Sequence, residues 1–350
     1  MAEPSAGSNR KAALLAEPVA HIDITSFDAR PLVAAWRGMS FSARAAARAA
    51  DIFDTMLADP DCAVILTLAG SSSAAGCMHV YRDLVANGMV DAVVATGAAI
   101  VDMDFFEALG FCHYKGSPEA DDGELRALAI DRIFDTYIDE DALRACDFTL
   151  KAIADGLAPG AYSSRAFLRE MGRWLKANAQ RPGSLVETAF DCDVPIFCPA
   201  LSDSSAGFGL VKHQAERRAA GAGSVAIDSV ADFRELTEVK IAAGSTGLFM
   251  IGGGVPKNFA QDTVVCADIL GHEAEMHKYA VQITVADTRD GACSSSTLKE
   301  ANSWGKVDEA EEQMVFAEAT TVLPIIAADA YHRGRWRSRK PRRFARLFED

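Results

Sequence analysis

The sequence has no stretch of about 20 uninterrupted apolar residues, the length a membrane-crossing helix needs, so neither a span nor a membrane partner is expected. Residues Met1 to Asp23 carry a short apolar patch but no hydrophobic block of the kind that directs secretion. A cytoplasmic protein is the expectation. The eight cysteines, at 62, 77, 112, 146, 192, 198, 266 and 293, include no CxxC and no zinc spacing. In a 350-residue chain without a secretion signal they read as reduced and mostly buried. The seven histidines are equally scattered. His272 and His277, in HEAEMH, come closest to a metal pair but lack the HExxH arrangement, so no metal is expected.

Basic charge is in deficit. Against 49 Asp and Glu there are 35 Lys and Arg, a net charge of −14. That balance disfavours nucleic acid and favours cationic ligands. One stretch departs from it. Residues 333, 335, 337, 339, 340, 342, 343 and 346 are all Lys or Arg, with no acid between. This tail, 333–350, reads as a solvated or subunit-docking end, with nucleic-acid or anionic-membrane binding as the alternative.

What is present is ordinary for a folded protein. Apolar residues make 49% and charged residues 24%, which excludes disorder, collagen and coiled coil for the bulk of the chain. The length suits about two domains or one large α/β domain. The core can be large enough to need no disulfide or metal. Residues 1–30 are mixed Ala, Ser, Gly and Pro and read as a partly flexible extension. Residues 31–332 read as a single α/β body.

Within the body, strand-like runs alternate with helical patterns. Strands are expected at 62–68, 90–96, 194–199, 247–251, 279–285 and 313–317. Helices are expected from 73 to about 87, near 103–109, and at 229–242, 257–270 and 320–332. Residues 117–190 read as mostly helical, with apolar spacing clearest in 139–156 and 163–179. Such alternation means βαβ units and a mostly parallel, Rossmann-like sheet. Ligands of such sheets sit at the carboxyl ends of the strands.

Four strand ends there are chemically unusual. Gly70-Ser71-Ser72-Ser73 lets backbone and hydroxyl groups approach a phosphate, or simply caps a helix. Thr96-Gly97 is a second small turn. Asp203 follows the 194–199 strand, where an acid holds a ribose hydroxyl pair or caps a turn. Gly252-Gly253-Gly254-Val-Pro256-Lys257-Asn258 places three glycines after a wholly apolar strand, with Pro256 at the first helical position. It is neither a P-loop nor GxGxxG. Farther on, Lys306 follows Trp304 and Gly305. A buried lysine has a lowered pKa, and a neutral amine can form a Schiff base. A solvated surface lysine is the alternative.

Taken together these segments resemble the deoxyhypusine synthase family. The match is strongest in VPIFCPALSD, STGLFMIGGGVPKNF, EANSWGK and VFAEAT, and continues upstream through residues 74–99. The resemblance implies an NAD-binding, Rossmann-like subunit in a homotetramer, with active sites between paired subunits. It implies oxidation of a polyamine donor to an imine, capture of a four-carbon aminobutyl group by a lysine, passage to an acceptor amine, and reduction with the cofactor restored. Lys306 then matches the imine-forming lysine, Trp304 the ring that packs on the polyamine stem, and Glu300 an acid facing a substrate ammonium. On the cofactor side the matches are Gly70, Ser71, Ser72, Ser73, Thr96, Gly97, Asp102, Asp203, Gly252, Gly253, Ala286, Ser294, Glu318 and Ala319.

The departures fall on the substrate side. A histidine of the family's glycine motif is Asn258 here, an acid expected after Asp203 is Phe208, and an acid expected before SWGK is Cys293. Phe208 can meet a cation through its ring face but cannot replace a carboxylate. The pattern resembles the bacterial deoxyhypusine synthase-like branch, which implies small-amine chemistry. The expected activity is aminobutyl transfer from spermidine to putrescine, giving homospermidine, or to an agmatine-like guanidino amine, whose planar group stacks well on aromatic rings. The alternatives are modification of a lysine in translation factor 5A, a non-catalytic scaffold role, and a nucleic-acid role through the tail. His113 is a further candidate substrate contact. The N-terminal segment is a candidate cover for a neighbouring site.

Overall fold

The computed structural model describes residues 6–308 and 311–349. In chain order the strands among them are β1 (Ala63–Leu68), β2 (Ala92–Ala95), β3 (His113–Lys115), β4 (Ile130–Ile133), β5 (Thr136–Asp139), β6 (Gly160–Tyr162), β7 (Ile196–Phe197), β8 (Val225–Ile227), β9 (Thr246–Ile251), β10 (Tyr279–Thr284) and β11 (Glu312–Phe316). Six of them form the central sheet in the order β11-β10-β9-β1-β2-β7. Every pairing in it is parallel. This is the α/β architecture that the alternating pattern predicts.

The strands β1, β9 and β10 are mostly apolar and buried along their whole length because both faces of the sheet are covered. In β1, Val64, Leu66 and Leu68 join one core, while Ala63 and Ile65 join the other. The first core lies under the helices Phe41–Ala58 and Ala319–Arg333, where Phe53 stacks on Phe249 of β9 at 4.3 Å between centroids. The second lies under Ser229–Ala243 and Gly254–Ile269, through Leu236, Val239 and Ala260. Side-chain oxygens of Asp139, Ser163 and Asp228 accept from the first backbone N–H groups of their helices and start them. Among the described residues no helix is long and apolar enough to cross a membrane.

Chain order creates the crevice. From β1 the chain moves to β2 and β7 on one side, and only then to β9, β10 and β11 on the other. The reversal opens a switch point beyond the carboxyl end of β1. Ala69 and Gly252 meet there. Ala69 donates its N–H to the Ile251 carbonyl at 3.0 Å. A Cβ on Gly252, whose φ is +74°, would lie 3.0 Å from the Ala69 Cβ.

Several expectations need correction. Residues 117–190 are not mostly helical at their start: β3, β5 and β4 form a small antiparallel sheet. The β4–β5 hairpin turns through Phe134, whose φ is +52°, rather than through the Asn-Gly or Asp-Gly pair that announces such turns. The helical stretch expected near 103–109 already begins at Ala98. Pro256 sits third in its helix, after Gly254 and Val255. In that first turn its missing N–H has no partner to lose.

Both chain ends are docked where they are described. Residues 6–14 form a helix, and Lys11 pairs with Asp139 at 2.7 Å. The strap that follows donates from Val19 N–H to the His113 carbonyl at 2.8 Å and from Ile22 N–H to the Gly76 carbonyl at 2.9 Å. Gly76 has φ +95°, and a Cβ there would stand 2.7 Å from the Ala20 carbonyl oxygen. At the other end most basic residues of the tail are exposed, as expected of a solvated end, yet several of them pair with acids of the body. Arg333 pairs with Asp51 at 2.8 Å and with Asp329 at 2.8 Å, and Arg346 with Asp193 at 2.7 Å. The Arg339 side chain is only 6% exposed, ion-paired with Asp91, and donates to the carbonyls of Gly88, Met56 and Cys62 at 3.0, 3.2 and 3.2 Å. Those acids lie far apart in the sequence, so the tail alone does not reveal its partners.

Candidate active site

The cleft is built from two consecutive βα connections. The helix Gly254–Ile269 leaves β9 and presents Asn258. The loop after β10 leads into the short helix Leu298–Ser303, and Trp304 and Gly305 then reverse the chain. Gly305 makes this turn possible with φ +69°. Lys306 is pinned by its backbone: its N–H donates to the Ala301 carbonyl at 3.1 Å, and its carbonyl accepts from His277 N–H at 2.9 Å. An open cleft of about 770 Å³ results, lined by Asn258, Cys293, Glu300, Trp304 and Lys306 among others.

At its floor the Lys306 side chain is only 11% exposed and pairs with Asp262. Its Nζ lies 5.3 Å from the centroid of the Trp304 ring, which is itself 67% exposed. The second oxygen of Asp262 accepts from the Asn258 amide at 2.8 Å. Asp262 is the residue that sequence reasoning missed. Its signal is the four-residue spacing from Asn258, which puts both on one helical face. Glu300 lines the cleft, and its Oε2 accepts from both the N–H and the hydroxyl of Thr297 at 2.7 Å. Those bonds hold its carboxyl below the usual value.

Beneath the cleft Lys257 is fully buried, donating to Gln282 Oε1 at 2.8 Å and to the Ser296 carbonyl. Burial brings its amine down to about 8. A Cβ on Gly253 would stand 2.3 Å from the Ser294 carbonyl oxygen. The glycine motif therefore clasps the 292–296 loop. That loop holds Ala292 and Ser295 at φ +61° and +73°, on either side of the exposed Cys293. Left-handed residues other than glycine cost free energy and concentrate at working sites.

The predicted cofactor residues fall into three places. Ser71, Ser72, Gly252, Glu318 and Ala319 line a groove of about 340 Å³ at the switch point. Gly70, with φ +73°, shapes its turn. Ser73 is buried just beyond, its hydroxyl donating to the Ala99 carbonyl at 3.2 Å. The hairpin tip, Phe134 and Asp135, forms part of the same wall, a contribution sequence reasoning also missed. A second group lies past β2. Thr96 accepts from Ala99 N–H at 3.3 Å. A Cβ on Gly97 would meet the Ser204 side chain at 2.5 Å. Asp102 accepts from Ser205 N–H at 2.7 Å, and burial pushes its carboxyl up to about 6. Asp203 is exposed nearby. Ala286 and Ser294 line a third, small recess of about 30 Å³, which shares Glu300 with the cleft.

Two substrate-side expectations are not brought to the cleft within the chain. Phe208 is 68% exposed on the helix Ser205–Ala219 and is not among the residues lining the cleft. His113 is fully buried, with its Nδ1 2.6 Å from Glu107, which also meets His21 at 2.8 Å. A histidine so enclosed does not meet a substrate, contrary to the expectation for His113.

A sequence model of deoxyhypusine synthase matches residues 31–330. The chain belongs to the deoxyhypusine synthase family. A deoxyhypusine synthase-like protein of Caulobacter vibrioides is 66% identical over 342 residues, covering 97% of this chain and 93% of the relative. A protein of the same description from Coxiella burnetii is 63% identical, covering 97% and 96%. One from Methanosarcina mazei, described as "Probable deoxyhypusine synthase 2", is 37% identical, covering 89% and 88%. The fold is similar to a crystal structure described as that of a candidate deoxyhypusine synthase from Entamoeba histolytica, with TM-score 0.59, 19% identity and coverage of 90% and 97%. Family membership implies aminobutyl-transfer chemistry, and the GGGVPK and SWGK motifs that carry the resemblance are the two segments that build the cleft.

Proposed function

We propose that the protein is an NAD-dependent aminoalkyl transferase acting on small polyamines in the cytoplasm. The observation that carries this reading is a single lysine, Lys306, held almost dry on the floor of an open cleft beneath an exposed tryptophan. The switch-point groove suits a dinucleotide. Part of its wall is made of small residues at strand ends, Ser71 and Ser72 bring hydroxyls and backbone to it in the turn after β1, and Glu318, which also caps the helix Ala319–Arg333 through Thr320 and Thr321, lends its carboxylate to ribose hydroxyls. Bound NAD supplies a hydride acceptor whose hydride is later returned.

This chain's own residues do the rest. Trp304 lays its ring along an alkyl stem or a cation. Glu300 faces an ammonium or guanidinium. Lys306 captures the four-carbon group as an imine and releases it to the acceptor amine. Putrescine as acceptor gives homospermidine, and an agmatine-like acceptor gives a guanidino analogue. An exposed ring and few carboxylates fit a flat guanidinium as well as an ammonium. The cleft stands open to one side, which fits completion by a paired subunit in a homotetramer.

The test is a mass-spectrometric product assay. Purified protein and NAD receive spermidine, putrescine and agmatine, singly and paired, with and without a translation factor 5A precursor. Homospermidine or a guanidino analogue supports the proposal. Modification of the protein acceptor alone replaces it with deoxyhypusine synthesis. No product from any pair removes it in favour of a non-catalytic role.

A further inference from the structure

Among the described residues the Lys306 ammonium has one carboxylate in contact, Asp262, whose other oxygen accepts from the Asn258 amide at 2.8 Å. The three side chains form a line from the helix Gly254–Ile269 to the cleft floor. We propose that Asp262 holds Lys306 in line and carries its protons during imine transfer, an inference that rests on the function proposed above.

The chemistry requires such a group. An ammonium has no lone pair, so Lys306 sheds a proton before it attacks. Its side chain is 11% exposed, and the Trp304 ring lies 5.3 Å from Nζ, so water has little access. Glu300 makes no ion pair with Lys306 among the described residues, and its Oε2 is held by Thr297. The buried Lys257 amine donates to Gln282 and Ser296 and adds a second positive charge. Asp262 is the acceptor already in place. Asn258 contributes no charge, and by fixing one oxygen it leaves the other facing Nζ.

The step balances. It starts from the Lys306 ammonium and a neutral donor imine. A bond forms between Nζ and the imine carbon, and the bond from that carbon to the departing nitrogen breaks. Of the three hydrogens on Nζ, one stays on the protonated lysine imine and two leave on the amine. The charge is unchanged. Those two protons move at different moments, and Asp262 takes and returns each in turn. General acid–base groups of this kind contribute roughly 100-fold or more to a rate.

The test compares the wild type with Asp262→Asn, Asp262→Glu and Asn258→Ala. NAD and a polyamine donor are added, the Lys306 adduct is trapped with borohydride, and the peptide is read by mass spectrometry between about pH 6 and 10. NAD binding is measured alongside. Asp262→Asn is expected to bind NAD normally and to form the adduct roughly 100-fold more slowly near neutrality. Its rate should rise with pH where the wild type is flatter, as solvent base replaces the carboxylate. Asp262→Glu should recover part of the rate. Should Asp262→Asn fail to fold, Asn258→Ala, which loosens Asp262 without removing it, should show a smaller loss of rate with the same change in pH profile. Adduct formation at the wild-type rate and pH profile in these variants would overturn the inference and leave the proposed function standing. A rate loss explained by lost NAD binding would also overturn it. Failure of the wild type to form any Lys306 adduct would overturn the proposed function, and this inference with it.

Discussion

The two ends of the central sheet follow opposite rules. At the carboxyl ends the chain uses glycines, small residues and left-handed turns, and leaves open cavities. At the amino ends of β1 and β2 it uses an arginine with an enclosed side chain, Arg339, that joins the Asp91 carboxylate to three backbone carbonyls. One end is shaped for approach and the other for closure. Residues at the first should therefore govern chemistry with little effect on stability, and residues at the second the reverse.

The largest expected effect tests the working end. Lys306→Arg should bind NAD and fold normally, because the guanidinium can still pair with Asp262, yet form no product. An arginine stays protonated and cannot become an imine. Product analysis beside a thermal melt checks both halves, and full turnover would remove the assigned mechanism.

At the closed end, Arg339→Ala leaves Asp91 buried without its cation. Breaking a buried pair from one side costs about 3–5 kcal/mol. A denaturant titration should show that loss while turnover per folded molecule is unchanged. A drop in turnover with normal stability would reverse the comparison.

The strap offers a pH-dependent contrast. Although burial opposes it, hydrogen bonds from His113 and His21 hold the Glu107 carboxyl down at about 2. A carboxyl lowered on folding stabilises the protein above its unfolded value, ordinarily about 4.3, and loses that contribution as pH falls through the folded value. Stability should therefore fall between about pH 4.5 and pH 2. Glu107→Gln should be less stable than the wild type at neutral pH and lose less on acidification, as read by denaturant titrations across that range.

The smallest effect concerns Phe134. Its left-handed backbone at an exposed hairpin tip costs roughly 1–3 kcal/mol, and it walls the switch-point groove. Phe134→Gly should raise the melting temperature slightly and weaken NAD binding a few-fold by calorimetry. Unchanged affinity would make the tip a bystander.

Much of this arrangement was legible in the residues, for physical reasons. The strands of the central sheet stood out because burial on both faces removes alternation, as in Ala63–Leu68 and Thr246–Ile251. Lys306, Trp304, Glu300 and Asn258 were legible as parts of one site because short motifs at strand ends converge on one cleft. The β4–β5 hairpin was not, because its strands are short and its turn carries phenylalanine where glycine or asparagine is usual. Asp262 escaped because an acid on a half-exposed helical face resembles any solvated charge until its partner, distant in sequence, is placed beside it. The tail's partners escaped for the same reason: Asp51, Asp91, Asp193 and Asp329 are dispersed along the chain, and only folding gathers them around its arginines.

Arg339 also has a bearing on the order of assembly. It follows in the chain both strands whose amino ends it braces, β1 and β2. The parallel core can therefore form before Asp91 meets its counter-charge, and the amino end of the sheet is among the last parts to close. A proteolytic cut between Arg333 and Arg339 would leave a buried acid without its cation, and that end would open and offer apolar strand ends to chaperones and proteases.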